Sequence, residues 1–183
     1  EFWGKGVSSC ATCDGAFFKN KVVAVIGGGD SAMEEATFLT RFASKVHIIH
    51  RKGEFRASKF MQERAKSNPK IEFILNSIVK EVQGETVVKN ILIENVLSNE
   101  SNNLTVDGVF LAIGHIPITD FLGNQIELTE TGYIKSADGV KTSVEGVFVA
   151  GDVEDYKYRQ AITAAGAGCK AALEAEKWLA GHV

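Results

Sequence analysis

The stretch Lys21-Val-Val-Ala-Val-Ile26-Gly27-Gly28-Gly29-Asp30-Ser31-Ala32 decides the fold. Its first half is a short, branched, continuously apolar run, the pattern of a strand buried on both faces of a parallel sheet. Three glycines end it. Next comes a helical pattern from Asp30 to about Phe42, with Ala32, Ala36, Leu39 and Ala43 along one line. Ser31-Ala-Met-Glu34 fits a capping box at its start. Lys45-Val-His-Ile-Ile-His50 is a second apolar strand. Strand, helix and strand make a βαβ unit of about 30 residues.

Working outward, an amphipathic helix is expected from Arg56 to Ser67, stopped by Asn68-Pro69. Ile71 to Leu75 reads as another strand. Ser77 to Val96 alternates in strand fashion around a turn at Gln83-Gly84-Glu85. Ser98 to Asn103 reads as a polar loop, and Val109 to Ile113 as a buried strand running into Gly114-His-Ile-Pro117. Beyond Pro117 the character changes. A hairpin is expected over Ile126 to Lys135 around Glu130-Thr-Gly132. A short buried strand follows at Val147 to Ala150, and a last helix from Arg159 to Leu179. The fold class is α/β: a Rossmann-like three-layer unit, parallel sheet plus β-meander, over residues 1–116, then a second piece over 117–183.

Bulk properties exclude several roles. With 183 residues and a net charge of −3, the chain has no basic block longer than Arg51-Lys52, so no nucleic-acid footprint is expected. No apolar run approaches the ~20 residues that span a bilayer. The start, Glu1-Phe-Trp-Gly, has neither an initiator Met nor a secretory signal pattern. Three cysteines suit a reducing compartment with one redox pair better than a disulfide framework. The cytoplasm is the expected location, although an organelle matrix protein would read the same way. A zinc site would need a second ligand pair, and His47, His50, His115 and His182 are scattered, so no metal is expected. Cys169 is expected to be a small buried apolar residue.

The glycine run has the setting of a dinucleotide turn. Gly27 permits the tight turn, Gly28 and Gly29 let the backbone approach a pyrophosphate, and Ala32 allows close helix–strand packing. The helix N-terminus, through Asp30 and Ser31, offers N–H groups to phosphate. An NAD site would place an acidic residue at the end of the second strand. This chain has His50-Arg51-Lys52 and then Arg56, cations that suit the 2′-phosphate of NADPH.

Just before this unit lies Cys10-Ala-Thr-Cys13-Asp14. Exchange with a partner disulfide needs one cysteine as a thiolate and the other to resolve the mixed disulfide. Asp14 is placed to move protons. NADPH donates a hydride whereas a dithiol works by exchange, so an intermediary is required, and flavin is the usual one.

Together, C-A-T-C-D-G (Cys10–Gly15), G-G-G-D-S-A-x-E-E-A (Gly27–Ala36) and H-R-K-x-x-x-R (His50–Arg56) resemble the low-molecular-weight thioredoxin reductases. The resemblance continues through A-I-G-H-x-P (Ala112–Pro117), G-V-F-V-A-G-D-V (Gly146–Val153) and Y-R-Q-A-I-T-A-A-G (Tyr158–Gly166). It implies an NADPH domain at 1–116, to which Ile113 and Gly114 contribute, and the C-terminal segment of a discontinuous FAD domain at 117–183. Gly151, Asp152, Arg159, Gln160 and Ala161 would meet FAD. By the same resemblance Cys13 faces the flavin, Cys10 attacks the thioredoxin disulfide, Asp14 is the acid/base, and the enzyme is a homodimer whose domains rotate. Lys52 and Ile118 depart from the family's usual arginine and asparagine. The family's first FAD segment, with its own glycine fingerprint, has no counterpart in these residues. Two alternatives remain: a related peroxiredoxin-reducing flavoprotein, or a non-catalytic NADPH-binding module.

Overall fold

The computed structural model describes residues 1–182. They form two compact units, Glu1–Gly114 and the residues from His115 onward. The first unit begins with a two-residue strand β1 (Val7–Ser8) and a single helical turn α1 (Ala11–Asp14). The alternation β2 (Val22–Ile26), α2 (Asp30–Leu39), β3 (Lys45–Ile49), α3 (Lys59–Lys66), β4 (Ile71–Ile74) follows. β5 (Ser77–Gly84), β6 (Val88–Asn95) and β7 (Ser101–Thr105) come next, and β8 (Gly108–Leu111) closes the unit. One sheet is parallel, in the order β1-β8-β2-β3-β4; the other is the antiparallel meander β5-β6-β7.

The three layers follow from the two-residue period of a strand. In β2, Val23 and Val25 join Ala32, Met33, Ala36 and Leu39 of α2 in one apolar core. Ala24, on the opposite face, packs with Val88 and Ile91 of the meander in a second core. β8 divides the same way, with Phe110 on the helix side and Val109 on the meander side. A strand apolar at every position is therefore required, which is why the run at Val22–Ile26 shows no alternation. α2 buries Ala32, Met33, Ala36 and Leu39, one stripe of a 3.6-residue helix.

Several local expectations need correction. α2 begins after Gly29, which has no side chain to cap with, so Ser31 lies inside the helix and the capping box is absent. Residues Ser101–Asn103, expected as loop, belong to β7. Their side chains are exposed on an outer strand, and the ladder is made by backbone groups that hydrophobic patterning does not register. Cys169 is exposed rather than buried.

The second unit has little regular structure apart from α4 (Ala161–Ala180). The expected hairpin is reduced to one bridge, Leu128 to Ile134, around a turn closed by Gly132 N–H donating to the Thr129 carbonyl at 3.0 Å. Val147–Ala150 is not a strand. Lys141 makes a single bridge to Phe148, and Val147 is exposed. α4 has a capping box in which Gln160 and Thr163 exchange bonds, and no residue along it is buried. Among the described residues no helix is long and apolar enough to cross a membrane.

Candidate active site

The glycine turn is shaped by contact. Gly27 has φ +157°, and a Cβ added there would collide with the Ala112 carbonyl and lie 2.9 Å from the Ala32 methyl. A Cβ on Gly28 would strike the His50 ring. Gly29 differs: a Cβ there meets nothing within 4 Å, so the backbone faces open space at the start of α2. A phosphate group fits that opening, next to the positive end of the helix.

The basic segment is tied to the turn by backbone hydrogen bonds. Arg56 N–H and Ala57 N–H both donate to the Gly28 carbonyl, at 2.8 and 3.0 Å. Asp30 accepts from Ser58 N–H at 2.7 Å, and Ser58 in turn caps α3 by accepting from Met61 N–H at 3.4 Å. Asp30 thus points to the protein's own backbone. Gly27, Gly28, His50, Arg51, Arg56 and Ile113 share the wall of a cleft of about 460 Å³. Lys52 is exposed outside that wall, and Gly114 (φ +94°) stands in open space beyond Ile113.

His50 lies in the floor of this cleft. It is buried, its Nε2 is 3.1 Å from the Glu54 carbonyl, and its ring stacks on Phe55 at 5.4 Å. Burial, opposed by the Glu54 carbonyl, holds its pKa below the ordinary value. His50 is therefore neutral at pH 7 and supports the turn by packing, while the cleft's positive charge comes from Arg51 and Arg56.

The dithiol sits on α1, with Cys10 as N-cap. Cys10 and Cys13 form a disulfide with Cα atoms 5.3 Å apart. Cys10 is half-buried and Cys13 exposed. Cys10 Sγ accepts from Cys13 N–H at 3.2 Å and lies 3.3 Å from Thr12 Oγ1. Both donors would stabilise a Cys10 thiolate once the bond opens. Asp14 N–H donates to the Cys10 carbonyl at 3.1 Å, and Asp14 lines a cleft of about 380 Å³ with Phe17 and Lys21. α1 packs against α2, so the glycine turn and the cysteine pair share one helix as support. Among the described residues no cluster of His, Cys, Asp or Glu is placed to hold a metal ion.

In the second unit Gly151 has φ +85° and Asp152 is exposed. Arg159 has φ +48°, and its Nη1 lies 2.6 Å from His115 Nδ1. Gln160 and Ala161 open α4. A residue the sequence reading missed organises this turn. The Asp155 carboxylate accepts N–H bonds from Lys157, Tyr158 and Arg159 at 3.1, 2.8 and 3.1 Å, and Thr163 Oγ1 lies 3.1 Å away. The Tyr158 N–H leads in holding its pKa below the usual carboxylate value. An aspartate a few residues before a helix was the available signal. Sequence reasoning also missed Glu35, whose Oε2 is buried without a hydrogen-bond partner.

The profile described as "Pyridine nucleotide-disulphide oxidoreductase" matches residues 1–168. Thioredoxin reductase 2 of Arabidopsis thaliana is 59% identical over 97% of this chain and 48% of its own length. The thioredoxin reductase of Chlamydia pneumoniae is 55% identical over 98% of this chain and 58% of its own length. Among solved structures, the Streptococcus pyogenes MGAS5005 thioredoxin reductase superposes with a TM-score of 0.91 at 43% identity, covering 97% of this chain and 58% of the other. The chain spans about half the length of the curated relatives it matches.

Proposed function

Because the chain belongs to the pyridine nucleotide-disulphide oxidoreductase family, we propose that it is the nicotinamide-nucleotide and dithiol portion of an NADPH-dependent thioredoxin reductase. The observation that carries this reading is a C-x-x-C disulfide braced by the same helix that follows the glycine turn, with two arginines in the turn's cleft. Residues 1–116 form the NADPH and dithiol domain, and residues 117–183 the C-terminal segment of the FAD domain.

In this reading Gly27 and Gly28 hold the turn, the backbone at Gly29, Asp30 and Ser31 faces the pyrophosphate, and Ala32 keeps α2 close to β2. Arg51 and Arg56 bind the 2′-phosphate with Lys52 as an outer charge, and Ile113 and Gly114 flank the nucleotide. Gly151, Asp152, Arg159, Gln160 and Ala161 form one side of the flavin site. When bound, NADPH would supply a hydride and FAD would relay its two electrons to sulfur. Reduction opens the Cys10–Cys13 bond. The Cys10 thiolate then attacks the thioredoxin disulfide, forming a mixed disulfide and expelling one thioredoxin thiolate, which Asp14 protonates. Cys13 attacks Cys10 Sγ, expels the second thioredoxin thiolate and restores the original bond. The whole enzyme works as a homodimer in the cytoplasm, whose reducing conditions suit three cysteines with one redox pair.

The test is a calorimetric titration of the chain with NADPH and NADH. NADPH binds more tightly, and Arg51→Ala with Arg56→Ala removes most of the difference, at least tenfold in Kd. Equal weakening of both nucleotides would overturn the 2′-phosphate assignment.

A further inference from the structure

Glu35, on α2, reaches the redox turn. It lines one cavity with Ala11 and Thr12, and the Ala11 N–H is the group that favours its charged form. That N–H belongs to the peptide group whose carbonyl is Cys10's. At its other end the Cys10 carbonyl accepts from Asp14 N–H at 3.1 Å and lies 3.5 Å from Ser8 Oγ. The peptide joining Cys10 to its helix is therefore held at its carbonyl by its own turn, and its N–H end lies beside Glu35 of α2. The second carboxyl oxygen, Oε2, is buried and has no hydrogen-bond partner. An ionised carboxylate in that position is poorly solvated.

We propose that Glu35 is a positioning residue for the Cys10–Cys13 dithiol, holding the Cys10–Ala11 peptide against α2 and setting, through its own charge, how readily Cys10 forms a thiolate. The proposal rests on reading this pair as the working dithiol of a reductase.

The surroundings support a charge that changes near neutrality. Burial raises the Glu35 pKa to about 7, with the Ala11 N–H opposing and Glu34 adding to the rise. Glu34 of α2, Arg41 in the turn after it and Arg64 of α3 line the same cavity of about 410 Å³ as Glu35, Ala11 and Thr12. α1 adds Asp14 and the two cysteines. The strands beneath α2 turn apolar Val23, Val25, Val46 and Ile48 toward it. A negative Glu35 one peptide unit from Cys10 opposes a second negative charge on sulfur, whereas a protonated Glu35 does not. The two groups titrate as a coupled pair.

Two measurements on the full chain test this, and neither needs nucleotide, flavin or thioredoxin, so they fail independently of the functional reading. The first follows iodoacetamide alkylation of Cys10 in the reduced chain against pH, with fragment mass spectrometry separating it from Cys13 and Cys169. Glu35→Gln keeps a carbonyl acceptor for Ala11 N–H and removes the charge. Its alkylation midpoint should fall by about one pH unit, with a sharper profile. An unchanged or higher midpoint overturns the proposal. The second needs no variant: carbon-13 NMR titration of the Glu35 carboxyl group in the oxidised and reduced wild-type chain. Reduction should move its midpoint upward by about one pH unit; the same midpoint in both forms overturns the proposal.

Discussion

At the residue scale, the glycine turn depends on atoms that are missing from it. Gly27 passes between the Ala112 carbonyl and the Ala32 methyl, where a side chain has no room. Gly27→Ala should cost about 2 kcal/mol of stability through overpacking, and weaken NADPH binding with it. A urea midpoint unchanged from wild type would show that the strand and helix separate more easily than their contacts imply. His47 carries a different liability. It is buried in β3, its Nδ1 has no hydrogen-bond partner, and Glu72 Oε2 is 3.6 Å away. Burial lowers its pKa from the ordinary 6.5, with Glu72 opposing. The unfolded chain therefore takes up this proton first as pH falls. The contribution is complete above 6.5 and is lost as pH drops toward the folded value. Glu35 has the opposite sign, its contribution declining as pH rises from 4.5 to about 7. Comparing a His47→Val variant with wild type isolates the first effect. The variant's advantage in Tm should grow between pH 7.5 and pH 5.5, values about a unit either side of the histidine pKa. A constant difference would mean that His47 protonates as readily folded as unfolded.

At the element scale, the legible parts were those whose period repeats. β2, α2, β3, α3 and β4 could be read from Lys21 to Leu75 because both faces of the sheet need apolar residues and the helices need one stripe each. The glycine turn was legible for the same reason, since its context of strand and helix was complete. β1 was not. Two residues, Val7 and Ser8, carry no period, and they pair with Val109 and Phe110 almost the whole length of the unit away. α1 escaped because one turn has no amphipathic repeat. β7 escaped because its first three residues, Ser101 to Asn103, are polar and exposed and show no alternation. The Asp30 carboxylate holds Ser58 N–H, a partner 28 residues distant that no local pattern announces. Asp155 belongs to this scale too, because it gathers three N–H groups into the turn that starts α4. Asp155→Ala should speed amide hydrogen exchange at Lys157, Tyr158 and Arg159 several-fold, leaving the middle of α4 unaffected. Unchanged exchange would mean that the turn is held by the backbone alone.

At the scale of the whole molecule, the first unit has two apolar cores and completes three layers. The second has one long helix with nothing buried along it and little else in regular form. That contrast matches a chain covering 48% and 58% of its relatives' lengths. It accords with reading the first unit as a finished nucleotide and dithiol module, and the second as one segment of a flavin domain. The chain supplied alone should bind NADPH and hold FAD weakly, which a visible absorption spectrum of the purified protein would show as little or no flavin band. A band at about one flavin per chain would contradict that division of labour.

The central claim is that Cys10 is the sulfur offered to thioredoxin. Its most direct test is a disulfide trap. A Cys13→Ser chain is activated at Cys10 by exchange with dithiobis(nitrobenzoate), leaving Cys10 as a mixed disulfide with thionitrobenzoate, and mixed with reduced thioredoxin that retains only its nucleophilic cysteine. The account predicts rapid release of the yellow thiolate and a covalent complex through Cys10, with far less from the Cys10→Ser chain activated at Cys13. Release no faster than with glutathione, or a complex formed through Cys13 alone, would contradict it.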